Sequence, residues 1–258
     1  MKKSLSTLRS WNIVAGNFFF RYRNALFPLI FLCGAVTLRP SIIMGSLVLD
    51  RFLIYTGVGI AILGQAVRLV TIGLEYIHRG GKDGQVYAGR LVQGGVYAIT
   101  RNPMYVGNAL IAIGMTMLFG SPLGYLLLIP LFLFVYQAII AAEEAYLSNK
   151  FGSEYDDYCS AVNRFVPSMD RIPKVFSETR FDWRHSLRRD IGTVVGLTIG
   201  LIFVPVWRAY FLYGWDATKA VALRGFILST VIGGAYFFLV RLKKNKRLFQ
   251  NPPRRQKL

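Results

Sequence analysis

The chain has 258 residues, 53% of them hydrophobic, and a mean hydropathy of +0.40, a balance that excludes an ordinary soluble domain of this size. Its net charge of +18 would suit a nucleic-acid binder, but no compact nucleic-acid module is present and the basic residues follow the apolar segments, so no nucleic-acid partner is expected. The cysteines Cys33 and Cys159 and the histidines His78 and His185 lack the spacing of a metal site or a disulfide framework, so no metal is expected.

Residues 1–24 form a first region in which the aromatic stretch Trp11 to Tyr22 is predicted to lie along the membrane interface. Ala25 to Leu38 reads as a first span, interrupted by Arg39-Pro40, with Ser41 to Leu49 as a bent or re-entrant tail. No small-residue cleavage site follows it, so it is not read as a cleavable signal peptide. Phe52 to Leu74 has the length of about 20 residues that crosses a bilayer. It contains Gly57 and Gly59, small residues that allow close helix packing, and Arg68, about two turns from the helix end. An intramembrane charge facing a bundle is a functional candidate by default, which would meet a substrate headgroup or one of the glutamates Glu143 and Glu144; snorkelling to the interface is the equal alternative.

Pro103 to Gly120 and Leu123 to Ala141 are the next two apolar runs, joined by a tight turn at Gly120, Ser121 and Pro122. This hairpin returns the chain to the side it left, so Arg101, Asn102 and Tyr105 meet Glu143 and Glu144 at one interface. Asn102 before Pro103 is an ordinary helix start, and it leaves N–H groups and a positive dipole end for an anion. Glu143 and Glu144 are either solvated at the helix exit or part of a site; their convergence with a helix N-terminus and the rings of Tyr97 and Tyr105 favours the site. The polar stretch Ala145 to Arg189 is expected to fold over this end as a short helical cap, with Phe151-Gly152 stopping the fourth helix. Two more spans follow within residues 191–240, Ile191 to Tyr213 and Ala220 to Val240, in which Arg208 and Arg224 are expected to snorkel. The basic tail, residues 241–258, is expected to contact anionic lipid at about 1 kcal/mol per residue.

The predicted fold is an all-α polytopic membrane protein of about six transmembrane helices. Twenty-five of the 31 Lys and Arg fall on one side: five before residue 24, four from Arg79 to Arg101, eight from Lys150 to Arg189 and eight from Arg241 onward. The positive-inside rule therefore puts both termini and the polar loops in the cytoplasm.

The strings GVYAITRNPMYVG, then EE, then FGSEYDDY and RFVP, resemble the core of the integral-membrane methyltransferases that include isoprenylcysteine carboxyl methyltransferase and the phospholipid N-methyltransferases. The resemblance covers Gly94 to Pro167 and, more weakly, Arg68 to Arg90; residues 25–190 would thus be the catalytic core. One departure is Asn102, where the related pattern has a histidine; its Arg, Pro, Tyr and Gly stand here as Arg101, Pro103, Tyr105 and Gly107.

The resemblance implies S-adenosylmethionine as methyl donor and a lipophilic carboxylate, amine or thiol as acceptor, reached from the bilayer. It implies cofactor contacts from Tyr97, Arg101, Asn102, Pro103, Tyr105, Gly107, Glu143, Glu144, Tyr155 and Tyr158, and substrate positioning by Arg68 and Arg164. The G-x-G at Gly57 is a further, weaker cofactor contact. Two other classes share part of the pattern: membrane sterol reductases with a nicotinamide cofactor, and non-catalytic relatives, for which the missing histidine is the best argument.

Overall fold

Apolar runs that cannot draw on water for their backbone groups are confined to helices or closed barrels. In a computed structural model of the chain, which describes residues 2–75, 79–82 and 85–244, they are helices. The order is α1 (Lys2–Thr37), α2 (Leu47–Leu74), α3 (Pro103–Phe119), α4 (Pro122–Phe151), α5 (Ser153–Ala161), α6 (Ile172–Glu178) and α7 (Trp183–Lys244). Between α2 and α3 lies a small antiparallel hairpin, β1 (Arg79–Lys82) and β2 (Gln85–Ala88), which the sequence reading did not anticipate. Helices α1, α2, α4 and α7 include stretches long and apolar enough to cross a membrane, and α3 is a shorter apolar helix of 17 residues. The chain is therefore a polytopic α-helical membrane protein. His78 and the tail from residue 245 lie outside the described residues.

Two expectations at the N-terminal end are corrected. Trp11 to Tyr22 is not a separate interfacial segment but part of one 36-residue helix with the first span. It lies along α4, where a Cβ on Gly16 would stand 2.0 Å from the Ala138 carbonyl oxygen, and Phe20 is buried with Val135 and Ile139. Close backbone approach and buried aromatics hold this end to the bundle. Ser41 to Leu49 is not a re-entrant tail either. It is a short 3-10 turn, Ile43–Gly45, after which Ser46 caps α2 by accepting the Leu49 N–H at 3.3 Å. That cap starts α2 five residues before the predicted Phe52.

Helices α2 and α3 run antiparallel along a seam of small residues. A Cβ on Gly64 would lie 2.6 Å from the Gly107 carbonyl oxygen, and one on Gly114 would lie 2.4 Å from that of Gly57. The pairs 57–114 and 64–107 are two heptad-spaced points of near backbone contact, with Ala61 wholly buried between them. Gly59 faces open space. The reading of Gly57 as a packing residue holds. Its weaker reading as a cofactor contact does not, because Gly57 is filled by Met117 and Gly114 deep in the seam.

The last two predicted spans are the arms of α7, which breaks at Gly214 (φ 76, ψ −174), a conformation open to glycine alone. The arms fold back on each other: a Cβ on Gly225 would meet Ile202 Cγ2 at 3.1 Å. The first arm packs Leu197, Val204 and Trp207 against Ala61, Met115 and Phe119. Arg208 on this arm does not snorkel. It is 8% exposed, its Nη2 donates to Asp50 Oδ1 at 2.6 Å and to the Ser41 carbonyl at 3.2 Å, and its guanidinium covers Gly120. A carboxylate at the same depth gives the charge a partner that water would otherwise have to supply. Arg224, by contrast, is exposed.

Candidate functional site at the polar end of the bundle

Three separate stretches of sequence meet where α3 begins. Asn102 stands at the N-cap position with Pro103 in the first turn, yet its side chain makes no capping bond. Nδ2 donates instead to Glu144 Oε1 at 3.2 Å and to the Arg164 carbonyl at 3.4 Å. Arg164 closes the triangle, with Nε 3.1 Å from the same Glu144 oxygen and Nη2 2.8 Å from Oε2. Forgoing a cap costs about 1 kcal/mol, and hydrogen bonds to charged groups contribute about 1.5–3 kcal/mol each, so the charged partner wins. The N–H groups of Tyr105 and Val106 both donate to the Asn102 carbonyl at 3.1 Å. The Val106 bond is the first regular bond of the helix, so of the free donors expected at this helix start the one at Tyr105 is already engaged.

The segment after α5 is laid against the stretch before α3 by backbone bonds. Arg101 N–H donates to the Asn163 carbonyl at 2.9 Å and Ser168 N–H to that of Ile99 at 3.0 Å. The Thr100 hydroxyl donates to the Arg164 carbonyl at 3.3 Å, and Arg171 Nη1 to that of Ala98 at 3.2 Å. Of the stretch Ala145 to Arg189 predicted as a cap, the middle folds over this end as α5 and α6, while 145–151 continue α4 and 183–189 already belong to α7; Gly152 (φ 54) ends α4 where expected. Inside the cap, Tyr155 and Tyr158 form a small core with Ala88, Leu147 and Val162. The Tyr158 hydroxyl donates to the Tyr97 carbonyl at 2.7 Å, and Tyr97 itself is 1% exposed. Burial, and then the nearby Glu144 carboxylate, push the Tyr155 phenol up, so it stays neutral.

Two cavities adjoin these segments. One, of about 560 Å³, is apolar and lies between α3 and α4, lined among others by Tyr105, Ala109, Tyr136, Gln137 and Phe165. The other, the polar cavity of about 420 Å³, has a mixed lining that includes charged groups and lies in the cap, bounded among others by Gln93, Ala98, Glu154, Asp157, Tyr158 and Arg171. Residues 98–105 and 162–165 each run from the polar cavity to the apolar one, with Asn102 and Arg164 partway along.

The structure therefore brings together Asn102, Glu144 and Arg164, with Arg101, Pro103 and Tyr105 beside them. Glu143 is buried next to Glu144 at 5% exposure. Tyr97 and Tyr155 pack inside the cap rather than opening their faces to a cavity, while Tyr158 borders the polar one. Gly107 lies in the α2–α3 seam, where a Cβ would be 2.6 Å from Arg68 Cγ.

Arg68 is not brought to either glutamate. Its Nε and Nη2 grip both oxygens of Asp190 on α7, Nη1 donates to Asn108 on α3, and Nη2 also reaches Thr193 at 3.1 Å. Gln65 Nε2 donates to the same carboxylate at 2.6 Å. Asp190, Asn108 and Gln65 were missed by the sequence reading, and a signal for Asp190 was there. Asp50 and Arg68 are 18 residues apart on α2, as are Asp190 and Arg208 on α7. That matched spacing of opposite charges is what antiparallel pairing requires.

Residues 53–154 match the phospholipid methyltransferase family. The chain is 38% identical over 77 residues to a protein-S-isoprenylcysteine O-methyltransferase of Schizosaccharomyces pombe, covering 30% of this chain and 33% of that protein. It is 28% identical over 124 residues to a probable protein-S-isoprenylcysteine O-methyltransferase of Oryza sativa subsp. indica, covering 46% and 63%. An uncharacterized protein of Haemophilus influenzae is 40% identical over 63 residues, which is 24% of this chain and 100% of that one. The chain spans a third of the fission-yeast relative and less than two thirds of the rice one. No solved structure matches.

Proposed function

We propose, from the match of residues 53–154 to the phospholipid methyltransferase family and the similarity to isoprenylcysteine O-methyltransferases, that the chain is an integral-membrane methyltransferase of that superfamily and transfers a methyl group from S-adenosylmethionine to a lipophilic acceptor at the cytoplasmic membrane interface. The observation that carries the reading is the convergence of Asn102, Glu144 and Arg164 beside an apolar cavity whose wall includes Tyr105 and Phe165. Reagents of opposite character, a charged nucleoside and a lipid-like acceptor, need polar and apolar compartments that adjoin, and this end of the bundle has both.

The side chains suit the donor. When bound, S-adenosylmethionine supplies an electrophilic methyl group on a positively charged sulfur. Tyr105, half-buried on the cavity wall, offers a ring face to that charge. Glu154 and Asp157 of the polar cavity offer acceptors for hydroxyl or ammonium groups, and Arg101 and Arg164 offer donors for a carboxylate. Glu144, held on two sides by Asn102 and Arg164, fixes the wall between the compartments. In-line displacement needs alignment and exclusion of water more than acid–base chemistry. A carboxylate or thiolate acceptor needs no base, whereas an ammonium headgroup must first lose a proton. Access from the side through the gap between α3 and α4, where Leu133 and Phe134 are exposed, suits an acceptor whose own solvent is lipid. The positive-inside balance supports a cytoplasmic location for this end.

Equilibrium binding of labelled S-adenosylmethionine to the detergent-purified chain tests the proposal, with S-adenosylhomocysteine and NADPH as competitors. Saturable binding displaced only by S-adenosylhomocysteine is expected. Displacement by NADPH, or no binding by a folded sample, overturns it.

A further inference from the structure

Arg68 and Asp190 form one of two buried, charge-swapped pairs that tie α7 to α2. The other is Asp50 with Arg208. On each helix the two charges are 18 residues apart, about 27 Å at the helical rise, so the pairs sit near opposite ends of the packed helices. They share chemistry and burial but not surroundings. Arg208 reaches only toward the Ser41–Asp50 turn and Gly120, at the end away from Asn102. Arg68 also reaches α3: its stem crosses Gly107, where there is no side chain to block it, and Nη1 is bonded to Asn108, less than two turns from Asn102.

We infer that Asp190 is a positioning residue for the site at Asn102. It acts by holding Arg68 across Gly107 against Asn108, and so fixing the first two turns of α3 relative to α2. The inference rests on the methyl-transfer reading of that site. Asp190 lies outside the family-matched residues 53–154, so the C-terminal hairpin contributes a part to a site whose other residues precede it. The physical reason is the Arg68 side chain itself. A guanidinium on a flexible stem keeps one geometry in a low-dielectric bundle only when its fork is matched by a carboxylate. Asp190 matches it with both oxygens, and Gln65 and Thr193 secure the carboxylate and the fork respectively. Without that charge, Arg68 turns toward the nearby cytoplasmic end of α2, Asn108 loses its donor, and the segment carrying Asn102 and Tyr105 loses its brace.

The two pairs supply an internal control. The variants Asp190→Asn and Asp50→Asn each remove one buried charge without changing side-chain size, and both are expected to lower the melting temperature of the detergent-purified chain. Only Asp190→Asn is expected to weaken S-adenosylhomocysteine binding, by about tenfold or more, while Asp50→Asn stays within about twofold of the parent; about tenfold corresponds to the loss of one interaction of the charged hydrogen-bond class. Asp190→Glu, which restores the carboxylate, is expected to recover most of the affinity. Unchanged affinity in Asp190→Asn, or an equal loss in Asp50→Asn, overturns the inference and leaves both pairs as structural ties. Failure of the folded parent chain to bind the ligand overturns the methyl-transfer reading instead, and the inference with it.

Discussion

At Asn102 an amide occupies the position where the related pattern has a histidine, and its neighbours explain how the exchange is accommodated. What Glu144 requires from that position is an N–H donor, and either side chain supplies one. Asn102→His is therefore expected to retain S-adenosylmethionine affinity. Asn102→Ala removes a hydrogen bond to a charged group, about 1.5–3 kcal/mol, and is expected to weaken binding by about tenfold to a hundredfold in the same titration. Glu144→Gln is expected to lower affinity more than stability. The Arg164–Glu144 pair is partly solvated, with side chains 29% and 21% exposed, and such pairs contribute little to folding. Tyr155 behaves differently because its proton is held by burial. A phenol whose folded pKa exceeds its ordinary value of about 10 stabilises the fold fully below that pH and loses the contribution as pH rises. Thermal melts across the alkaline range should show a steeper decline for the parent than for Tyr155→Phe.

At the scale of elements, the α2–α3 seam and the Gly214 break decide how the helices are arranged. Gly64→Val places a branched side chain where even a Cβ would be 2.6 Å from the Gly107 carbonyl oxygen. Forced separation of the helices would also shift Asn108 away from Arg68. A loss of several degrees in melting temperature and of monodispersity in detergent is expected, with Gly59→Ala, which meets nothing within 4 Å, as the neutral comparison. Gly214→Ala meets no steric neighbour but would require φ 76 and ψ −174 of a residue with a Cβ, a strain of about 1–3 kcal/mol. That variant is expected to loosen the C-terminal hairpin and leave the cap intact, which limited proteolysis can read out.

For the whole molecule, both ends of the bundle carry buried Arg–carboxylate pairs, and among the described residues the cap and the two cavities lie at one end, together with the basic residues Arg101, Lys150, Arg164 and Arg171. The expected orientation has a direct test. A cysteine at Lys219, whose side chain is 60% exposed beyond the Gly214 break, should react with a membrane-impermeant maleimide from outside intact cells. One at Glu154 should react only after permeabilisation.

The positions of the apolar runs, the short helices folded over one end and the meeting of Asn102 with Glu144 were legible in the sequence because they follow from local arithmetic. A run of apolar residues fixes its helix, a Gly-Ser-Pro turn reverses it, and the ends of a hairpin must then lie side by side. What only the tertiary structure decided was which partner each buried polar group took. Arg68 read alone is a charge in search of a substrate; beside Asp190 it is a brace, and Arg208, read as a snorkelling residue, is the partner of Asp50. Gly107 fell within a motif and proved to be a gap through which Arg68 passes. The two ion pairs join residues more than a hundred positions apart; the matched 18-residue spacing of opposite charges on α2 and α7 is compatible with them but does not by itself choose the partners. They are set by the antiparallel register in which α7 packs on α2, and that register exists only once the helices have met.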